Sequence, residues 1–131
     1  MPVAITDITN LQQLTVEVSG PAPANQLIIV AGTARLPFTS SVAQGGGTLR
    51  SETFTALVGP TLTSAQFIQA IAMAAPAHMR QMSAGVLVHI AQADADFDDD
   101  SGRTQLTING EILGDIQIGA AAFQVTILAA I

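Results

Sequence analysis

Residues 93–102 read Ala-Asp-Ala-Asp-Phe-Asp-Asp-Asp-Ser-Gly, and this stretch separates two runs of strand-forming residues. Residues 84–92 before it are rich in β-branched side chains, and in residues 103–108 after it Leu106 and Ile108 alternate with polar neighbours. Asp side chains bond nearby backbone N–H groups and Gly readily adopts positive φ, so such a segment suits a turn. The stretch therefore predicts a β-hairpin with an acidic turn.

The same stretch holds five of the ten acidic residues of the chain. Alternating carboxylates resemble the oxygen ligands of a calcium loop, and the candidate ligands are Asp94, Asp96, Asp98 and Asp100. The EF-hand pattern requires Gly at its sixth position and Glu at its twelfth, and a loop begun at Asp94 or Asp96 supplies neither. Two interpretations stay open: a solvated acidic turn, or a divalent-cation site in which Ca²⁺ offsets the repulsion between carboxylates.

Strand signals recur along most of the chain. Alternating or continuous apolar runs bounded by Gly and Pro predict further strands over residues 3–8, 14–18, 26–36, 48–58, 111–118 and 121–131. In the last of these, Phe123, Val125 and Ile127 share one face. Asn109-Gly110 is a strong turn signal and predicts a second hairpin, between residues 104–108 and 111–118.

One segment shows helical spacing instead. Phe67, Ile68, Ile71, Ala72 and Ala75 recur at helical intervals after Thr63 and Ser64, either of which can cap a first turn. This pattern predicts an α-helix over residues 64–75. Seven or eight short strands and one helix favour a mainly β fold, either an antiparallel β-sandwich or a Greek-key barrel.

Length and composition predict one domain over residues 1–131, long enough to bury a core. There is no Cys, which excludes disulfides and thiolate metal sites. Arg is the only basic residue type besides His, and the net charge is −6, so contacts with a phosphate backbone have little support. Tyr and Trp, which stack on bases, are absent as well, so nucleic acid is not an expected partner.

Charged residues make up only 11% of the chain, whereas a solvated surface usually carries about 25–35%. A subunit whose faces are covered by neighbouring copies needs less charge, so the composition predicts self-association. The N-terminus lacks the features of a signal peptide, and no apolar run reaches the ~20 residues of a membrane helix. The chain is therefore expected to be made as a soluble cytoplasmic protein, as a component of a particle or exported without a Sec signal.

No motif in the sequence specifies catalysis. A nucleophile elbow, a His-Glu-x-x-His pair and a Cys nucleophile are absent, and the glycines at 45–47 lack the Gly-Lys-Ser/Thr of a phosphate loop. His89 is expected to be structural, because on a regular strand Asp94 and Asp96 would point to the opposite face.

The resulting hypothesis is a non-enzymatic structural subunit that assembles with copies of itself into a shell, tube, filament or similar homo-oligomer. Edge-strand pairing and burial of apolar faces would hold the copies together. One alternative is a binding module that presents the acidic loop at residues 94–102 to a ligand, with or without Ca²⁺. Another is a metal-dependent enzyme that uses the same carboxylates with His89. No other cofactor is predicted.

Overall fold

The computed structural model describes residues 2–18, 25–38, 49–77, 87–113 and 118–130. Within these ranges the protein contains eight β-strands and no helix, so the prediction of a mainly β fold is confirmed. The strands are β1 Val3–Ala4, β2 Ile8–Val18, β3 Asn25–Pro37, β4 Leu49–Val58, β5 Phe67–Pro76, β6 Leu87–Asp98, β7 Arg103–Leu113 and β8 Ile118–Ala130.

The strands form two four-stranded sheets. The first sheet has the order β1-β4-β7-β6, and the second has the order β2-β3-β8-β5. The short pairing of β1 with β4 is parallel, and all the other pairings are antiparallel. From β3 to β8, most successive strands belong to different sheets. The buried side chains of the two sheets form one hydrophobic core.

Alternation along each central strand decides which side chains enter this core. In β8, Val125, Ile127 and Ala129 are completely buried, whereas Gln124 points to the other face of the sheet and is exposed. The face predicted for this strand is therefore confirmed. In the first sheet the strand β7 alternates in the same way, with Leu106 and Ile108 fully buried.

The predicted helix over residues 64–75 is wrong. Residues 64–66 form a turn, and β5 follows as an edge strand of the second sheet, paired with β8. Alternate residues Ala70, Ala72 and Ala74 pack against the core, while Ile71 and Met73 point outward. Both faces of β5 are apolar, so the period of two is hidden in the sequence. Pairing with β8 outweighs the modest helical preference of the alanines.

The predicted turn at Asn109-Gly110 is also wrong, because β7 continues through both residues to Leu113. A Cβ atom at Gly110 would lie 3.2 Å from Phe38 Cζ and 3.4 Å from Leu36 Cδ1. The glycine is thus placed where two sheets approach closely and leave no space for a side chain. Gly110 allows close packing within a strand. The local Asn-Gly pattern does not distinguish this use of glycine from its use in a turn.

Candidate functional site

The acidic stretch forms a hairpin, as predicted, but its turn is shorter than expected. The strand β6 runs to Asp98, so only residues 99–102 form the turn. Ala95 and Phe97 point into the core, which places Asp94 and Asp96 on the solvent side of the strand. The ring of Phe97 lies 5.2 Å from that of Phe67 on β5. Burial of the alternate apolar residues explains why a segment so rich in Asp adopts a strand.

Local hydrogen bonds hold the turn. The Asp98 carboxylate accepts bonds from the Ser101 amide at 3.0 Å and from the Ser101 hydroxyl at 2.6 Å. Gly102 has a φ of 71°, a conformation that favours glycine. Its carbonyl accepts a bond from Leu62 N–H at 2.7 Å, and Arg103 Nε donates to the Gly59 carbonyl at 3.0 Å. The turn is therefore docked against the segment that follows β4.

The structure does not gather the four predicted calcium ligands around one point. Asp94, Asp96 and Asp98 follow one another along the outer side of β6, and Asp100 lies in the turn. Alternate residues on a strand are about 7 Å apart, whereas the ligands of one Ca²⁺ all lie within ~2.3–2.6 Å of the ion. Across the described residues, no group of three or more His, Asp or Glu side chains is arranged to hold a metal ion. Calcium binding stays a prediction.

We expect calcium to stabilise the protein no more than magnesium does at equal ionic strength. Because the carboxylates of Asp94 and Asp96 face solvent in a row, any cation reduces their repulsion by screening. Thermal melting in the chloride salts of both ions tests this. A rise in melting temperature specific to calcium, and lost in the double variant Asp94→Asn with Asp96→Asn, would contradict it. Asp99→Asn is a matched single control that removes one exposed charge from the turn.

His89 lies closer to a carboxylate than the sequence indicated. A bulge between Ile90 and Gln92 shifts the register of β6, so His89 shares the outer face with Asp94. Its Nε2 atom is 3.8 Å from Glu111 Oε1, and 60% of its side chain is exposed. This distance is longer than a hydrogen bond and the imidazole is largely exposed to water, so the contact is weak.

The outer face of the second sheet, the side turned away from the core, is apolar. The register brings its side chains into three rows that run from β2 to β5: Val16, Leu27, Leu128 and Gln69; Leu14, Ile29, Thr126 and Ile71; Gln12, Ala31, Gln124 and Met73. We refer to these twelve side chains as the apolar outer face. Leu14, Ile71 and Met73 are 58%, 60% and 61% exposed, which is unusual for large apolar side chains gathered on one face of a sheet.

Charge is distributed very unevenly between the two outer faces. The twelve side chains of the apolar outer face include no charged one. Beyond their rows, Arg35 of β3 is exposed on the same side of the sheet and lies 3.7 Å from the Asp7 carboxylate. The outer face of the first sheet carries Asp94 and Asp96 on β6 and Glu111 on β7, among threonines such as Thr55 and Thr107. Within the described residues, the first sheet therefore presents an acidic polar side, and the second sheet presents a largely apolar side without net charge.

The apolar outer face ends at an open strand edge. Among the described strands β2 pairs with β3 alone, and its side chains from Thr9 to Glu17 are exposed on both sides of the sheet. The opposite edge of the same sheet is different, because β5 lies next to β6 of the first sheet. A shallow depression of about 180 Å³ on the apolar outer face is lined by Leu27, Ile71 and Leu128, among others.

Sequence reasoning missed this surface, although two signals pointed towards it. One was the low proportion of charged residues, and the other was a segment, residues 67–76, that is apolar at nearly every position.

Within the described residues no helix is long and apolar enough to cross a membrane. Searches among protein-family models, curated proteins and solved structures found no match for this chain.

Proposed function

We propose that this chain is a non-enzymatic structural subunit, a β-sandwich that assembles with copies of itself into a larger homo-oligomeric structure. The observation that carries the proposal is the apolar outer face, where large aliphatic side chains stand in register over four strands without a charge among them. Exposed apolar surface of this kind is stabilised when a second surface covers it.

The distribution of charge supports a second copy as the covering surface. The chain carries a net charge of −6, so two copies repel each other unless they meet through neutral regions. The apolar outer face is neutral, and the acidic side chains of the first sheet lie on the other side of the molecule. Copies that meet through the second sheet keep these carboxylates in water and far apart.

Light scattering of the purified protein tests this proposal. We expect a homo-oligomer at micromolar concentration, and we expect Ile71→Lys to break it into smaller species because the ammonium group would be buried without a partner. The fold should survive, since Ile71 is exposed in the single chain. Leu57→Lys is the matched control: it adds the same charge at an exposed position of the first sheet, and should leave the oligomer intact. A monomeric parent protein would contradict the proposal.

A further inference from the structure

We infer that two copies join through the open edge of β2, antiparallel and about a two-fold axis at Thr15, so that their second sheets become one eight-stranded sheet. The inference rests on the proposed function and specifies its first interface. Strands at a sheet edge present N–H and C=O groups that a further strand satisfies. Among the described residues, β2 is the exposed edge of the second sheet, because β5 at the other edge lies beside β6.

The bulge in β2 restricts where another strand can pair. The register with β3 shifts between Thr9 and Gln12, where Asn10 has a φ of 54°. Such a bulge interrupts the regular spacing of backbone groups along the strand. From Gln12 to Val18 the pairing with β3 is regular, and Thr15 is the middle residue of this segment. A symmetric partner strand that uses the whole segment therefore has its two-fold axis at Thr15.

The side chains of this segment complement themselves in that register. Residues whose numbers add to 30 face each other, so Leu14 of one copy lies beside Val16 of the other, on the apolar side. On the other side of the sheet, Glu17 of one copy lies beside Gln13 of the other, whose amide can donate to the carboxylate. Thr15 of one copy lies beside Thr15 of the other. Aliphatic, amide–carboxylate and Thr–Thr neighbours all favour cross-strand pairing.

Charge selects the antiparallel direction. Glu17 is the only charged side chain of β2. In a parallel, in-register pair the two Glu17 carboxylates would be direct neighbours, and like charges in that position destabilise a sheet. In the antiparallel pair centred on Thr15 they are four residues apart along the strands, about 14 Å.

Edge pairing also gives the apolar outer face the area that a stable interface requires. Three rows on four strands cover about 400 Å² in projection, which is half of the ~800 Å² per partner in a typical stable interface. Because Leu14 and Val16 stand on β2 itself, pairing through this edge makes the two faces continuous, with about 800 Å² in total. The joined face is then large enough for a second pair of copies to pack on it.

Cysteine cross-linking tests the register, since the chain has no Cys of its own. Gln13→Cys and Glu17→Cys chains are prepared separately, oxidised mildly alone and as a mixture, and analysed by mass spectrometry of the linked peptides. Directly opposed residues have Cβ atoms about 4.5–5.5 Å apart, so the mixture should give at least about ten times more cross-linked dimer than either variant alone. Thr15→Cys should cross-link to itself.

The outcomes separate this inference from the function on which it rests. Cross-linking of Gln13→Cys and Glu17→Cys each alone would indicate a parallel pair and overturn the antiparallel register. An oligomer that Ile71→Lys dissociates, but in which none of these cysteines cross-links, would overturn edge pairing and leave the proposed function intact. A parent protein that is monomeric would overturn both.

Discussion

Deletion of residues 124–131 is expected to abolish cooperative folding. The strand β8 lies between β3 and β5, and each of its residues from Ile118 to Ala130 pairs with β3. The deletion removes the fully buried side chains of Val125, Ile127 and Ala129, and it leaves residues 25–31 of β3 and 67–73 of β5 without their common neighbour. Val and Ile alone contribute about 1.5–3 kcal/mol each through burial, a large share of the ~5–15 kcal/mol that stabilises a typical domain.

Circular dichroism during heating should then show no sigmoidal transition for the truncated chain. A single substitution in the same strand should cause a smaller loss of stability for the same reason. Ile127→Ala should lower the free energy of unfolding by about 2–5 kcal/mol, because it opens a cavity next to Gly59, over which the Ile127 side chain packs closely. Thr126→Ala is the matched control on the outer face of the same strand and should change it by less than ~0.5 kcal/mol. Equal effects of the two substitutions would show that β8 does not separate core from surface as described.

The face of β8 could be predicted because its two sides differ in polarity, with Gln124 and Thr126 opposite a continuous row of aliphatic side chains. The acidic hairpin was predictable for the same kind of reason, since Asp and Gly mark a turn between apolar runs. Its length was not, because β-propensity alone places Asp outside a strand. The alternation of Ala95 and Phe97 with aspartates explains why the strand reaches further.

Elements whose two sides are alike could not be predicted from the sequence. Over residues 70–74 of β5 the inward residues are alanines and the outward residues are Ile71 and Met73, so hydrophobicity alone gives no period of two. At Asn109-Gly110 the local turn signal was present, but Gly110 leaves room for the ring of Phe38, which follows β3. Both errors arise from contacts between residues that are far apart in the chain.

The candidate surface was hidden for a related reason. Leu14 and Ile71 look like core residues in the sequence, and only the register of four strands shows that they lie in one row on the outside. Composition predicted that some face would be covered by a neighbour, because so few side chains are charged. It did not indicate which face, since that depends on how β2 and β5 align with the strands between them.

A pair of substitutions in β5 is expected to have opposite outcomes, although the helix predicted from the sequence placed both residues on one stripe. Phe67 packs against the core and its ring lies 5.2 Å from that of Phe97, whereas Ile71 is 60% exposed on the apolar outer face. Phe67→Ala should lower the free energy of unfolding by about 2–3 kcal/mol, less than the ~3–5 kcal/mol of a completely buried Phe, because Phe67 is half-buried.

Ile71→Ala should leave the stability of the single chain within about 0.5 kcal/mol of the parent, since its side chain already contacts water. Urea denaturation at the lowest workable protein concentration measures both effects without a contribution from association. At higher protein concentration the ranking of the variants by free energy of unfolding should change. Ile71→Ala weakens the contact between copies and so removes the stabilisation that association gives. Substantial destabilisation by Ile71→Ala in the dilute sample would mean that Ile71 is buried within one chain, and the apolar outer face would then lose its central residue.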